Sequence, residues 1–368
     1  MRILELCLAS SLGGLELYFH RCCQLFTSSN HFLLAVVTPD TRLAALMKQD
    51  GIQHTALAPV RWHNVIRRAA TLSSIVKEHQ IDVLHVHHKA DLLLVALSKR
   101  ISSCSFSVVH TRQMTLHHTK KDPYHRFLYN SIDLFIAITN QVQQQLRKNI
   151  AVDPKRVVRL YYGVSVPSQS VPLDNQKLPY IQIGVFSRID RMKGQHVVTE
   201  ALHNLKQRGT MLSCYFYGDT MDEAYITRLK KSIQEYDLDS QVYFMGFHPD
   251  PTSLMPQMDI IVMPSLNETF GLTLIEAMLC EVAVIGTNYG GIPEIIDDGK
   301  TGLLFEREND QQLADCLQQL IDDPGLRKQL AQAGQAKAKK HFQASEHFTR
   351  LTELMNNVLS HENTSESY

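Results

Sequence analysis

A single tryptophan occurs in 368 residues, and there is no net charge, because 37 Lys+Arg meet 37 Asp+Glu. No stretch approaches the ~20 consecutive apolar residues needed to span a bilayer. The opening run Ile3–Leu8 is broken by Glu5, so neither secretion nor membrane insertion is expected. The seven cysteines (Cys7, Cys22, Cys23, Cys104, Cys214, Cys280, Cys316) include no C-x-x-C pair. Several lie in apolar, strand-like or helical segments, which predicts reduced core thiols of a cytoplasmic protein. A G-x-G-x-x-G fingerprint is also lacking, which argues against a dinucleotide oxidoreductase.

What is present is the composition of a folded globular protein, 44% hydrophobic and 20% charged. The length exceeds what one core organises, so two domains are expected. The zero net charge hides an asymmetry: residues 1–163 carry 20 Lys+Arg against 10 Asp+Glu, and residues 164–368 carry 17 against 27. The basic half suits an anionic partner such as a membrane surface, an acidic glycan or nucleic acid, unless the two halves merely attract each other.

β-rich runs recur at Ile3–Leu8, Leu33–Thr38, Val83–Val86, Phe106–Val109 and Leu134–Ile138, alternating with helical periodicity such as Val65–Glu78 and Gln141–Lys148. A second series follows at Ile181–Phe186, Ser213–Tyr217, Val242–Met245, Ile260–Met263 and Val282–Gly286, with helices at Gln195–Gln207 and Asp222–Glu235. This is the βαβ pattern of parallel sheets covered by helices, so the predicted fold class is α/β with two doubly wound, Rossmann-like domains. The Pro- and Ser-containing stretch from Val164 to Pro172 marks an extended linker. The predicted division is 1–163, then 164–341 with 164–179 as linker, then a tail helix over Phe342–Leu359 ending in a frayed Glu362–Tyr368. Two such domains facing each other would put the carboxyl ends of both sheets on a shared cleft, where open α/β sheets bind ligands.

The densest chemical signal runs from Pro264 to Met278, where a strand ends, turns at Gly271 and becomes a helix. Glycine there lets backbone N–H groups of Phe270, Gly271 and Leu272 approach a diphosphate at the positive end of the helix. Glu268 before the turn and Glu276 inside the helix are placed to accept hydrogen bonds from sugar and ribose hydroxyls. Each alone would pass for a helix-terminus carboxylate. Arg188 and Lys193, in Ser187–Gly194 after the first strand of the second half, would neutralise a leaving diphosphate without a metal. Gly13-Gly14 supplies another tight turn after the first strand.

These motifs, with Gly290-Gly291-Ile292-Pro293-Glu294 and Gly299-Lys300-Thr301-Gly302, resemble those of the family 4 retaining glycosyltransferases over nearly the whole chain. The resemblance implies the GT-B fold, with an N-terminal acceptor domain, a C-terminal donor domain and a final helix crossing back to the first. It implies metal-independent transfer with retention, using a nucleotide diphosphate sugar as substrate and no cofactor. It would place Arg188, Lys193 and the Gly14 N–H on the diphosphate, Glu276 on the ribose, and Glu268 with His110 beside the reacting sugar. Tyr162-Gly163-Val164 and Ser187-Arg188 depart mildly from the family's usual Asn-Gly-Val and Gly-Arg.

His85-Val86-His87-His88 looks metal-like, yet no carboxylate or cysteine is expected beside His85 and His87, so no metal site is expected. Arg112, Lys120, Lys121 and Arg126 follow His110 and suit an anionic glycan or glycolipid acceptor. Arg61-Trp62-His63 and Arg67-Arg68 open a basic amphipathic helix that suits peripheral contact with an anionic membrane's cytoplasmic face, as expected of the bacterial lipopolysaccharide and surface-glycan members. No aromatic-interleaved basic motif supports nucleic-acid binding. A non-catalytic sugar-nucleotide binding protein and a sugar-nucleotide epimerase stay open as alternatives on the same architecture.

Overall fold

A computed structural model describes residues 1–59, 62–165 and 180–365. Arg61, most of the expected linker (166–179) and the last three residues of the tail lie outside them. The chain forms two compact units, Met1–Tyr161 with Glu346–Tyr368, and Tyr162–Ser345.

In the first unit the elements run β1 (Arg2–Cys7), α1 (Gly14–Thr27), β2 (Phe32–Val37), α2 (Arg42–Gln49), β3 (His54–Ala56), α3 (Val65–Glu78), β4 (Val83–Val86), α4 (Leu92–Ile101), β5 (Ser107–Arg112), α5 (Pro123–Asn130), β6 (Leu134–Ala137), α6 (Asn140–Asn149) and β7 (Val157–Arg159). All its strand pairs are parallel, in the order β3-β2-β1-β4-β5-β6-β7. The central strands are buried on both faces, and β2 and β6 read as continuous apolar runs. Side-chain caps fix where several helices begin: Thr41, Asp122 and Thr139 accept from the backbone of Ala44, His125 and Val142.

The second unit continues with β8 (Ile181–Phe186), α7 (Gln195–Gln207), β9 (Leu212–Tyr217), α8 (Glu223–Glu235), β10 (Val242–Gly246), β11 (Ile260–Met263), α9 (Leu272–Leu279), β12 (Ala283–Thr287), α10 (Ile292–Ile295), β13 (Leu303–Phe305), α11 (Asp310–Asp322) and α12 (Pro324–His341). Its parallel sheet has the order β10-β9-β8-β11-β12-β13. Both sheets reverse direction beside their first strand, which is the doubly wound pattern.

The structure departs from the sequence reading in a few places. Three three-residue strands, β3, β7 and β13, were not expected. All three are outermost strands, too short to show an alternating or apolar pattern. Val164, expected in the linker, is pinned instead: its N–H donates to Phe342 O (2.8 Å) and its carbonyl accepts from Ala344 N (3.2 Å). The tail helix α13 (Ala344–Ser365) carries on as far as Ser365, into the polar stretch expected to fray. Extending a helix already nucleated by packed turns fixes one residue per added bond, which polar residues tolerate.

All seven cysteines are free thiols, and Cys7, Cys22, Cys23 and Cys214 are buried. Burial pushes those four thiols well above the ordinary range.

Within the first unit α13 is held by His347, whose ring bonds Tyr161 O at 2.5 Å and Tyr18 Oη at 2.9 Å. Burial lowers its pKa to about 4, so it is neutral at pH 7. Because the folded value lies below the unfolded one, the unfolded chain takes up a proton first as pH falls. Stability from this site is therefore complete above about pH 6.5 and declines down to about 4, by up to about 3 kcal/mol. Denaturant midpoints of wild type and His347→Gln should diverge in slope across that window, the wild type falling more steeply on acidification.

Candidate functional site

Three loops meet at the carboxyl ends of the second unit's strands. The loop after β8 carries Arg188 and Lys193, the loop after β11 carries Glu268 and Phe270, and the loop after β12 carries Gly290 and Gly291. They are fastened backbone to backbone. Leu266 N donates to Met192 O (2.8 Å), and Gly291 N donates to Glu268 O (3.0 Å). A Cβ at Gly194 would stand 2.1 Å from Pro264 O, and one at Gly290 2.0 Å from Glu268 O. Both glycines also hold positive φ, 77° and 69°. Only glycine meets both demands.

On this base Lys193 Nζ lies 2.8 Å from Glu268 Oε2, both side chains being about one-fifth exposed. Helix α9 begins at Gly271 (φ 105°) with no side-chain cap, so its first N–H groups stay available beside that pair. Arg188 is exposed, and its guanidinium has no hydrogen-bond or ion-pair partner among the described residues. Gln195 Nε2 holds Arg188's carbonyl at 2.9 Å. Glu276 is half-buried, five residues into α9. The Phe270 ring is buried against Tyr162 and Phe342, with centroids 5.1 and 6.0 Å away, so only its backbone could face a ligand. An uncapped helix end, a lysine already holding a carboxylate and an unpaired arginine form a site for an anion with polar groups attached.

In the first unit Gly14 opens α1 and is exposed. The buried Glu16 carboxylate turns back to accept from Gly13 N at 2.8 Å. His110, expected just after a strand, lies inside β5, which runs on to Arg112. Its Nδ1 donates to Val86 O at 2.9 Å, leaving Nε2 buried with no partner. Burial first, and the neighbouring Arg112 charge second, lower its pKa to about 3. The ring is thus neutral with a bare acceptor nitrogen.

Arg112 corrects the expectation of four cations facing an acceptor. It is buried, and its guanidinium donates to the carbonyls of Met114 (2.8 Å) and Thr115 (3.1 Å), so it props its own loop. Lys121 and Arg126 are exposed, and Lys120 is half-buried. Trp62 and Ile66 stand out at 88% and 72% exposure, next to Arg67 and Arg68.

The expectation that His85 and His87 stand without a carboxylate or cysteine is also overturned. Glu5 bonds both imidazoles, and Cys22 joins them. The interruption of the first apolar run by Glu5 was the available signal. It could not be used without knowing that β1 lies next to β4.

Two parallel doubly wound units, the second with glycine-fitted loops at its strand ends, define a protein of the GT-B class. The family description "Glycosyl transferases group 1" matches residues 174–337, and "Glycosyltransferase Family 4" matches residues 12–166. The chain belongs to the family 4 glycosyltransferases. It is 24% identical over 312 residues to N-acetyl-alpha-D-glucosaminyl L-malate synthase of Bacillus anthracis, covering 79% of this chain and 78% of that one. It is 27% identical over 217 residues to the putative colanic acid biosynthesis glycosyltransferase WcaL of Salmonella typhimurium, covering 56% of this chain and 51% of that one. The crystal structure of Anabaena HepE in complex with UDP superposes with a TM-score of 0.84 at 22% identity, over 97% of this chain and 100% of that one. Among the described residues no helix is long and apolar enough to cross a membrane.

Gly290→Ala puts a methyl group 2.0 Å from Glu268 O at a left-handed φ. The loop must shift, at a cost of at least about 1–3 kcal/mol. A melting temperature lowered by several degrees is expected by calorimetry, with Gly299→Ala, where nothing lies within 4 Å, losing less.

Proposed function

We propose that this glycosyltransferase moves a hexose-type sugar from a nucleotide diphosphate sugar to an anionic glycan or glycolipid, with retention of anomeric configuration and no metal in the transfer step. The observation that carries this reading is the Lys193–Glu268 pair beside the uncapped start of α9, with Arg188 unpaired close by in sequence. A diphosphate arriving there is a stronger partner for Lys193 than a single carboxylate. It would draw the ammonium away and free Glu268 for hydroxyl groups of the donor sugar. The N–H groups of Phe270, Gly271 and Leu272, with Arg188, would hold the phosphate oxygens, and Glu276 the ribose. The UDP complex of Anabaena HepE supports the choice of a nucleotide diphosphate.

Gly14 and His110 are assigned from the first unit. Gly14 would give its N–H to the diphosphate, and the bare Nε2 of His110 would accept from a sugar hydroxyl. In the transfer the bond from the anomeric carbon to the diphosphate oxygen breaks, and its electron pair stays on the phosphate. The acceptor hydroxyl attacks the same face, and the departing phosphate oxygen takes its proton. Arg188 and Lys193 stabilise the charge that develops there. Retention and an absent metal role follow from family resemblance, and the geometry is compatible with both.

For the acceptor, Lys120, Lys121 and Arg126 remain as positive groups after Arg112 is removed from the set. The colanic-acid role in the Salmonella relative's name supports a surface glycan or lipopolysaccharide pathway. Exposed Trp62 and Ile66 beside Arg67 and Arg68 support docking on the anionic cytoplasmic face of a membrane.

Two measurements test this reading. Glu268→Gln and Lys193→Ala should each lower kcat/KM for a nucleotide-sugar donor by about 100-fold or more, the scale of losing one preorganised charge. Turnover unchanged in both variants would remove the reading, and release of a free epimer without acceptor would replace it with an isomerase. Separately, vesicles rich in phosphatidylglycerol should sediment the wild type, while Trp62→Ala/Ile66→Ser should stay largely in the supernatant. Equal behaviour of the two proteins rejects the membrane contact.

A further inference from the structure

The core of the first unit holds a polar cluster that the transfer reading leaves unused. Glu5 on β1, Cys22 on α1, His85 on β4 and His87 just past its end are all buried, and one ligand atom from each lies within 4.8 Å of every other. Strand geometry explains the convergence. β1 and β4 pair in parallel with Glu5 opposite His85, and His87 lies two residues further on the same face. Helix α1 covers this face, its Tyr18 and Phe19 rings centred 5.6 and 5.3 Å from His87.

We infer that Glu5, Cys22, His85 and His87 form a structural binding site for a zinc-class divalent metal ion. One sulfur, two imidazole nitrogens and one carboxylate oxygen make a four-ligand set of the kind zinc takes in tetrahedral sites. Bonds of about 2.0–2.3 Å separate tetrahedral ligand atoms by about 3.3–3.8 Å. One atom from each side chain lies within 4.8 Å of the others, and both imidazoles already touch the carboxylate, His87 Nε2 at 2.5 Å from Oε2 and His85 Nδ1 at 2.9 Å from Oε1.

The surroundings match what metal-bound histidines require, namely a partner for the ring nitrogen turned away from the ion. His85 Nε2 lies 2.7 Å from Thr111 Oγ1, and His87 Nδ1 lies 3.5 Å from the Gln113 side-chain amide. A half-turn of that amide presents its oxygen instead.

The charge balance favours an ion. The Glu5 carboxylate is fully buried between two imidazoles and a thiol in an apolar core, where a charge needs partners. On loading, each imidazole keeps one proton on its outward nitrogen, Cys22 releases one proton to solvent, and Glu5 stays ionised. Two positive charges then meet two negative ones. All four side chains are shut off from solvent, so the ion would tie β1, α1 and β4 together and take no part in transfer. The inference does not depend on the proposed transfer chemistry.

The test uses the full chain, made without a polyhistidine tag and purified without chelator. Elemental analysis should find about one zinc per chain. Protein unfolded with chelator and refolded with Co2+ should show the visible bands of tetrahedral cobalt and a near-ultraviolet thiolate-to-cobalt band. Cys22→Ser should lose the latter. Should that variant fail to fold, the wild type decides alone: refolding with Zn2+ should raise its melting temperature by several degrees over refolding with chelator. Less than about a tenth of an ion per chain, before and after refolding with Zn2+, together with equal melting temperatures, would overturn the site and leave a network held by protons alone.

Discussion

At the carboxyl ends of the second sheet, loop backbones pass so close that one methyl group would not fit between Gly290 and Glu268, or between Gly194 and Pro264. Everything proposed for this region rests on that approach. It sets Lys193 against Glu268, fixes where α9 starts, and leaves the first N–H groups of that helix uncovered. The chemistry needs charge and donors at fixed positions, and rigid backbone contacts supply them at less entropic cost than flexible side chains would. The glycines of the motif are thus spacers that let charged residues be placed.

The first unit uses buried polarity differently. His110 and His347 are both stripped of their charge by burial, yet each keeps a hydrogen bond to a backbone carbonyl. For His347 the bond joins the last helix to the rest of its unit. For His110 the bond fixes the tautomer, and with it the one ring nitrogen left to accept. The Glu5 cluster belongs to the same core, where polar groups are matched to one another over long sequence separations.

Long buried runs were legible in the sequence because burial on both sheet faces leaves an unbroken apolar stretch. β8, β11 and α7 begin and end where the pattern placed them. Short outer strands were not, since three residues are too few to carry a period. Motif residues of the second unit could be identified because their spacing lies within one strand-turn-helix. The Lys193–Glu268 pair could not, because it joins loops 75 residues apart. Arg112 was misjudged for a related reason: charge is visible in a sequence, but the carbonyls that bind it are not. The Glu5–His85 contact spans 80 residues and depends on which strands are neighbours.

The placement of the thiols has a practical consequence. Cys7 and Cys23 lie in the first unit and Cys214 in the second, all buried and all held in the unreactive protonated form. A thiol reagent can modify them only when their own unit opens, so the time course of labelling at each cysteine is a clock for that opening. The two halves of the molecule thereby carry separate built-in reporters of their unfolding, with no probe to be introduced.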